Sequence, residues 1–565
     1  MINDLYTPQG EAVSENPWQV YPRPQMKRGS YLNLNGRWDF AVSTGKRFPE
    51  YDKTILVPFS PESLLSGIHT HYGEDTFLYY RRELVLPKDF TRGRVLLHFG
   101  AVDQVAEVYL NRRIVGKHVG GYEAFTLDIT EYLQETNVLE LRVKDDLRTV
   151  TLPYGKQTLK RGGMWYTPVS GIWQTVWAEC VPDKHIEELD IRVNLEEAVV
   201  SVTPKLTGTV LFAGAEVPLV DGVATLRPLL AENWTPENPK LYTFTVICGD
   251  DRVDSYFALR TLETKEVDGI PRLCLNGKPY FFHGLLDQGY WSDGIYTPAS
   301  PECYEQDILA MKQLGFNMLR KHIKVEPEQF YYDCDRLGMV VFQDMVNNGK
   351  YSFFRDTLLP TLGVQKLPDE NFHKKAADRK AFYRGMEATV RQLKNHPSIV
   401  YWTIFNEGWG QFCADEAFDK LLELDDSRFI DATSGWFRGG KSHVESLHIY
   451  FGSFRKLKPG DKPLVLSEFG GYCYAEPEHL FCPDKSYGYR NCKTLDVYRS
   501  ELEALYRERI IPAVRKGLCA TVYTQVSDVE EEVNGLLTYD RKVCKPEPEN
   551  MRYIAKELAK AMEES

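Results

Sequence analysis

Apolar and polar positions alternate in short runs from residue 31 to about 180, with turn residues between the runs. Residues 36–42, 94–102, 106–122 and 137–145 are examples, and a period of two cut at such intervals predicts an antiparallel β-sandwich. Asn111-Arg112-Arg113 falls between two runs, where a hairpin turn belongs. A second β-rich stretch spans residues 182 to about 262, with predicted strands at 198–206 and 240–249, and its length suits an immunoglobulin-like β-sandwich. The Pro-interrupted segment 234–239 reads as a loop entering an edge strand.

Beyond residue 263 the rhythm changes. Apolar runs alternate with amphipathic stretches, the mark of βα units and a parallel sheet. Predicted strands lie at 279–286, 316–322, 339–345, 399–407, 429–435, 446–451, 463–471 and 520–528. Helical patterns separate them, as at 303–315, where Ile308, Leu309, Met311 and Leu314 form one apolar stripe, and a last one follows at 550–564. Eight strands in this alternation match a C-terminal (β/α)8 TIM barrel. The expected organisation is therefore multidomain β plus α/β, divided at 1–181, 182–263 and 264–565.

Composition acts mainly by exclusion. A chain of 565 residues is too long for one core, and 43% hydrophobic with 26% charged residues sets aside disorder and fibrous classes. A net charge of -12 without a basic run argues against nucleic acid as a partner. Eleven cysteines with no C-x-x-C pair fit reduced thiols. No run approaches the roughly 18 apolar residues of a membrane span, and the first 17 residues lack a basic region followed by an apolar stretch. No membrane association and a cytoplasmic location are expected. The 13% aromatic content suits sugar stacking as well as sandwich cores; for Trp165, Trp173 and Trp177, core packing is the expectation and an auxiliary sugar site the alternative.

In a barrel of this kind the polar residues closing the strands line the mouth. Glu407 closes the fourth predicted strand after Tyr401-Trp402-Thr403-Ile404-Phe405-Asn406, and Glu468 lies at the end of the seventh after Leu464-Val465-Leu466-Ser467. Glycoside hydrolysis needs such a pair, one carboxyl to protonate the departing oxygen and one to oppose the positive charge on the sugar.

The run Asn395-His396-Pro397-Ser398-Ile399-Val400-Tyr401-Trp402-Thr403-Ile404-Phe405-Asn406-Glu407 closely resembles the acid/base signature of glycoside hydrolase family 2, which holds β-galactosidases, β-glucuronidases and β-mannosidases. Ser467-Glu468-Phe469-Gly470-Gly471 resembles that family's nucleophile segment. Tyr256-Phe257-Ala258-Leu259-Arg260 is similar to its Phe-Gly-Phe-Arg element, with Ala258-Leu259 in place of Gly-Phe. The resemblance covers nearly the whole chain and implies a jelly-roll sugar-binding-like sandwich, an immunoglobulin-like sandwich and the barrel, in that order. It implies Glu407 as acid/base, Glu468 as nucleophile and Asn406 as partner of the sugar 2-hydroxyl. Arg320, at the end of strand two, would keep the nucleophile ionised or serve a structural ion pair.

Further substrate-binding candidates carry weaker signals. His322 and His283 close strands two and one and would meet sugar hydroxyls or pack structurally. Trp409, His448, Tyr450, Tyr472, Tyr523 and Gln525 are candidate wall residues of the sugar subsite. Asp287 and Asp293 after strand one, and Asp344 closing strand three, would hold hydroxyls.

The departures from the family bear on the sugar. Arg320-Lys321-His322-Ile323-Lys324 replaces the common Arg-Thr/Ser-His-Tyr-Pro, and Glu532-Val533-Asn534 precedes a stretch lacking the Lys of the glucuronidase Asn-x-Lys. Glu530, Glu531 and Glu532 are expected to repel a uronic acid. The reading is a retaining exo-glycosidase, β-galactosidase-like, acting on an oligosaccharide or glycoside. Arabinosidase, galactofuranosidase or β-mannosidase activity, and less readily β-glucuronidase, are the enzymatic alternatives. A non-catalytic carbohydrate-binding protein is the rival. No metal or phosphate motif occurs and no organic cofactor is needed, although the resemblance leaves room for Mg2+ or Na+. Relatives of this kind imply a homo-oligomer.

Overall fold

The computed structural model describes residues 2–364, 366–450, 454, 457 and 460–565. In the first sandwich a six-stranded antiparallel sheet runs in the order Lys53–Val57, Gly36–Ser43, Phe77–Glu83, Val138–Lys144, Val105–Leu110 and Arg113–Val119. A four-stranded sheet of Leu32–Asn33, Val176–Val181, Arg94–Phe99 and Phe125–Asp128 accompanies it. Alternation decides the buried face: Ala106, Val108 and Leu110 point inward and join Leu97, Phe99 and Leu141 in one core. Asn111 and Arg112 take φ of 52° and 65° between two paired strands, the doubly left-handed turn whose twist matches a hairpin. The second sandwich sets Glu188–Val193, Ala198–Thr203 and Val223–Leu226 with a sheet of Ala215–Leu219, Gly208–Phe212, Tyr242–Cys248 and Asp251–Phe257. Val200, Val210, Phe244, Val246 and Phe257 fill the space between them.

The barrel strands are β1 (Phe282–Asp287), β2 (Met318–Lys321), β3 (Val340–Asp344), β4 (Ile399–Asn406), β5 (Phe429–Ser434), β6 (Glu445–Ile449), β7 (Leu464–Gly470) and β8 (Leu518–Thr524). They pair in parallel in the order β5-β4-β3-β2-β1-β8-β7-β6. Leu286, Met318, Phe342, Tyr401, Val465 and Val522 belong to one buried cluster, with Phe342 and Tyr401 stacked at 4.1 Å. Helices α1 (Glu302–Gln313), α2 (Glu328–Leu337), α3 (Ala376–Leu393), α4 (Ala414–Leu424), α5 (Leu495–Leu505) and α6 (Pro548–Glu563) lie between or after the strands. The predicted βα alternation fails between β5 and β6. That link, residues 435–444, is short and carries Gly435, Gly439 and Gly440, and no helix forms there. The predicted end of the sixth strand at Phe451 lies outside the described residues.

Both sandwiches grip the barrel, the second at the start of the strand that leads to Glu407 and the first at the mouth. Ahead of β4, His396 Nδ1 lies 2.7 Å from Asp335 Oδ2, Tyr256 donates to the same oxygen at 2.7 Å, and Ser398 N–H donates to Oδ1 at 2.8 Å. Arg260 donates to the Pro397 and Ile399 carbonyls at 2.6 and 2.8 Å, and Asn395 donates to Leu189 O at 2.7 Å. The second sandwich thus sets the start of β4. From the first sandwich, Tyr154 N–H donates to Asn347 O at 3.1 Å and Thr167 N–H to Glu530 at 2.8 Å, while Tyr166 donates to Glu532. This brings the loop over residues 154–167 to the barrel mouth. Among the described residues no helix is long and apolar enough to cross a membrane, and the cysteines are unpaired.

Candidate active site

Glu407 follows β4 directly, with its backbone in the left-handed region at φ 51° and its N–H on Ser434 O at 2.9 Å. Such a conformation costs a bulky residue about 1–3 kcal/mol and persists only when the surroundings hold it. Gly408 continues the turn at φ 74°, and Trp409 N–H closes it on Asn406 O at 2.9 Å. The turn swings the Glu407 side chain off the end of the strand. Glu468 instead sits within β7 and is buried.

Arg320 organises the floor. It donates through Nε to Asp344 Oδ1 at 2.9 Å, through Nη1 to Ser467 O and Glu468 Oε1 at 3.0 Å, and through Nη2 to Asn406 Oδ1 at 2.9 Å. Asp344 is held from its other oxygen by His322 Nδ1 at 2.7 Å. Tyr450 donates to Glu468 Oε2 and lies 3.1 Å from Thr524 Oγ1, with its ring stacked on Tyr489 at 3.8 Å. Burial would raise the Glu468 carboxyl, but His448, Arg320, His322 and the Tyr450 hydroxyl outweigh it and hold the group at about 2. Glu468 is therefore an anion at neutral pH.

His448, on β6, bridges the two carboxylates. Its Nδ1 lies 2.8 Å from Glu407 Oε1, and its Nε2 lies 3.0 Å from Ser434 Oγ and 3.7 Å from Glu468 Oε1. Oxygens of Glu407 and Glu468 and a nitrogen of His448 lie within 4.8 Å of one another. That spacing would also suit a cation, but both imidazole nitrogens already have hydrogen-bond partners, so these donors as placed serve one another.

Two family models match the chain. The model for glycosyl hydrolases family 2, TIM barrel domain, matches residues 268–556, and that for the glycosyl hydrolase 2 galactose-binding domain-like module matches 68–160. The chain belongs to glycosyl hydrolase family 2. It is 25% identical over 543 residues to a β-galactosidase of Thermoanaerobacter pseudethanolicus, covering 88% of this chain and 67% of that one. It is 24% identical over 358 residues to a β-glucuronidase of Bacteroides fragilis, covering 58% of this chain and 49% of that one, about half the relative's length. Among solved structures, the β-D-glucuronidase of Dictyoglomus thermophilum superposes with a TM-score of 0.72 at 17% identity over 96% of this chain and 98% of that one. The family 2 β-galacturonidase of Eisenbergiella tayi does so with 0.68 at 18% over 96% and 98%. At such identity these two structures establish a shared fold.

In this family 2 hydrolase the predicted residues divide into two groups. Glu407, Glu468, Asn406, Arg320, His322, Asp344, His448 and Tyr450 form the connected centre just described. Trp409 flanks it, its ring 5.1 Å from Trp165 and 5.8 Å from Tyr351. Gln525 stands behind the mouth, donating to Asn534 at 2.9 Å.

The remaining candidates serve elsewhere. His283 lies near the start of β1, not its end, and packs against Phe316 and Tyr506 at 4.2 and 5.3 Å on the helix side. Tyr523 also faces that side, against Phe469 at 5.5 Å, because strand alternation turns its neighbour Thr524 inward instead. Tyr472 pairs with Arg490, 5.3 Å over its ring. Asp287 is taken by Lys321 at 2.6 Å, and Asp293 staples the N-terminal segment through Thr7 at 2.6 and 2.8 Å.

Sequence reasoning missed Ser434 and Lys156, and it reads Glu532 as repelling an acidic sugar where the structure ties it to Tyr166 and Asn534. Ser434 closes a strand like the carboxylates but carries no charge to draw notice. Lys156 and Trp165 come from the sandwich loop, and only the packing of that loop on the barrel brings them to the mouth. Trp173 and Trp177 are core residues, as expected, whereas Trp165 is only partly buried and meets Trp409.

Proposed function

We propose that this family 2 hydrolase is a retaining exo-glycosidase working by double displacement, with Glu468 as nucleophile and Glu407 as acid/base. The observation that carries the reading is the approach of their carboxylate oxygens to within 4.8 Å. Retaining enzymes hold the two carboxyl groups about 5–5.5 Å apart, close enough for one to attack the anomeric carbon while the other protonates the leaving oxygen. An inverting enzyme needs a wider gap of about 6.5–9.5 Å for its water.

The hydrogen-bond directions support the division of roles. Ser467 Oγ donates to Leu447 O at 3.2 Å and Ser434 Oγ to Ser467 Oγ at 3.0 Å, so the Ser434 oxygen is left to accept from His448 Nε2. His448 Nδ1, 2.8 Å from Glu407 Oε1, orients that carboxyl, and Glu407 delivers its proton to the glycosidic oxygen. Glu468, ionised and oriented by Arg320 and Tyr450, attacks the sugar; Glu407 later takes a proton from the water that releases it. Asn406 has its carbonyl engaged by Arg320, while its buried Nδ2 has no partner among the described residues, which suits donation to the 2-hydroxyl beside the reacting carbon. The loop over residues 154–167 at the mouth favours a closed pocket for a terminal sugar, hence exo action.

The expectation of a β-galactoside rested partly on repulsion of a uronic acid by Glu530 to Glu532. Glu530 accepts from Thr167, and Glu532 accepts from Tyr166 and from Asn534 at 2.9 Å, so these two are committed to protein partners and weigh little against an acidic sugar.

The test is trapping with a 2-deoxy-2-fluoro-glycosyl fluoride, followed by peptide mapping, together with the anomeric configuration of the first product by NMR. A label on Glu468 and a retained product are expected. An inverted first product would refute the reading.

A further inference from the structure

Four lysines are buried among the described residues: Lys156, Lys321, Lys324 and Lys545. Three of them end on carboxylates. Lys321 meets Asp287 and Glu326 at 2.6 and 2.9 Å, Lys324 meets Glu326 at 2.9 Å, and Lys545 meets Asp528 at 2.6 and 2.8 Å. That is what a low-dielectric interior demands, because a desolvated ammonium is stable only with an anion or several acceptors beside it.

Lys156 is the exception. It is 5% exposed, yet its ammonium makes no hydrogen bond or ion pair with any described residue. Its contacts are aromatic: Nζ lies 4.4 Å from the Trp409 ring centroid and 5.9 Å from that of Trp165. A cation–π contact recovers only part of the hydration that a buried ammonium gives up. Its Nζ sits over Trp409, two residues beyond Glu407, and the charges acting on it most strongly are Glu532, Glu468 and Glu407, so the ammonium lies beside the carboxylate centre. Burial nonetheless pulls it below the usual lysine range, as expected of a cation short of a partner.

Its backbone is built to hold this position. Gly155 has φ 65° with Ile323 O 2.9 Å from where a Cβ would stand, so a side chain there would force the loop off the barrel. Lys156 O accepts from Tyr166 N–H at 3.1 Å, and Gln157 is tied to Asp103 at 2.8 Å and Tyr122 at 3.1 Å. The loop that delivers Lys156 belongs to the first sandwich, and the carboxylates it faces belong to the barrel.

We propose that Lys156 is a specificity-determining residue whose ammonium takes the carboxylate of an acidic glycone, so that the enzyme prefers uronides to the matching neutral glycosides. The anion missing from the protein is then supplied by the substrate. Lys156 does this from the sandwich loop, in a chain whose stretch after strand eight lacks an Asn-x-Lys. The proposal rests on reading the site as a glycosidase pocket.

The experiment measures kcat and KM for matched 4-nitrophenyl pairs, β-D-glucuronide against β-D-glucoside and β-D-galacturonide against β-D-galactoside, with wild type, Lys156→Met and Lys156→Gln. In wild type at least one uronide should exceed its neutral partner by about 10²-fold or more in kcat/KM, and the variants should lower that ratio by about 10²-fold, mostly through KM. A wild-type preference for the neutral member of both pairs overturns the proposal. So does an equal loss on both members of a pair in both variants, which is the signature of a structural role. Because the quantity read is a ratio, it is insensitive to the folded fraction. It is also independent of stereochemistry: an inverted product would refute double displacement and leave the uronide preference standing.

Discussion

Replacing Arg320 with Met tests the electrostatic core of the site. The guanidinium lies 3.0 Å from Glu468 and 2.9 Å from Asp344, all three side chains being buried. At an effective dielectric of about 20, a pair at that separation attracts by roughly 5 kcal/mol before desolvation is counted. If about half of this distinguishes the ionised from the neutral carboxyl, Glu468 rises by about 2 pH units, at 1.36 kcal/mol per unit. It would then move from about 2 to about 4 or above, since burial, which pushes it up, remains. The assay is kcat/KM from pH 3 to 8. The variant should gain an acid limb that wild type lacks above pH about 4 and lose about 10³-fold at neutral pH, equivalent to about 4 kcal/mol of transition-state stabilisation. Stability falls too, by about 3–5 kcal/mol at pH 7, because Asp344 and Glu468 lose a buried counter-ion. The sign follows from linkage: a depressed carboxylate stabilises the fold above its unfolded value, near 4.5, and that stabilisation is lost as pH falls towards about 2. The gap in stability between wild type and variant should therefore narrow in acid. Arg320→Lys, which restores a charge without the planar fan, should fall between them. A folded Arg320→Met enzyme with an unchanged acid limb and kcat/KM within about 10-fold of wild type would refute the reasoning.

Two further substitutions separate chemistry from scaffold. Asn406→Ala removes a donor expected to act in the transition state, so kcat should drop by about 10²-fold with KM little changed, and a 2-deoxy glycoside should show no added loss; equal losses on both substrates would contradict the role. Asp335→Ala strips the acceptor shared by His396, Tyr256 and Ser398 beneath β4, and should cost about 3–5 kcal/mol in denaturant unfolding while kcat per folded molecule stays within about 3-fold.

The class of elements is legible in the residues alone, because burial of one face leaves a period that can be read along the chain. Alternation in residues 105–110 and apolar runs ending in Asn406-Glu407 and at Glu468 sufficed for sandwiches, a parallel barrel and two acids at one mouth. The failures arose where a strand's side chains divide between two environments. His283 and Tyr523 lie on barrel strands, but their rings pack among Phe316, Tyr506 and Phe469 on the helix side, and short apolar strands buried on both faces give no polar alternation to tell one side from the other. Asp287 and Asp293 looked available for sugar because their partners, Lys321 and Thr7, are chosen by chain paths that local pattern does not encode. It took the packing of the whole chain to set His448 across Glu407 and Glu468, to let Arg320 reach three elements at once, and to bring Lys156 over Trp409 on a sandwich loop. The reason is physical: a period records which side of one element avoids water, whereas a site is made where ends of several elements meet, and those meetings depend on how whole units pack.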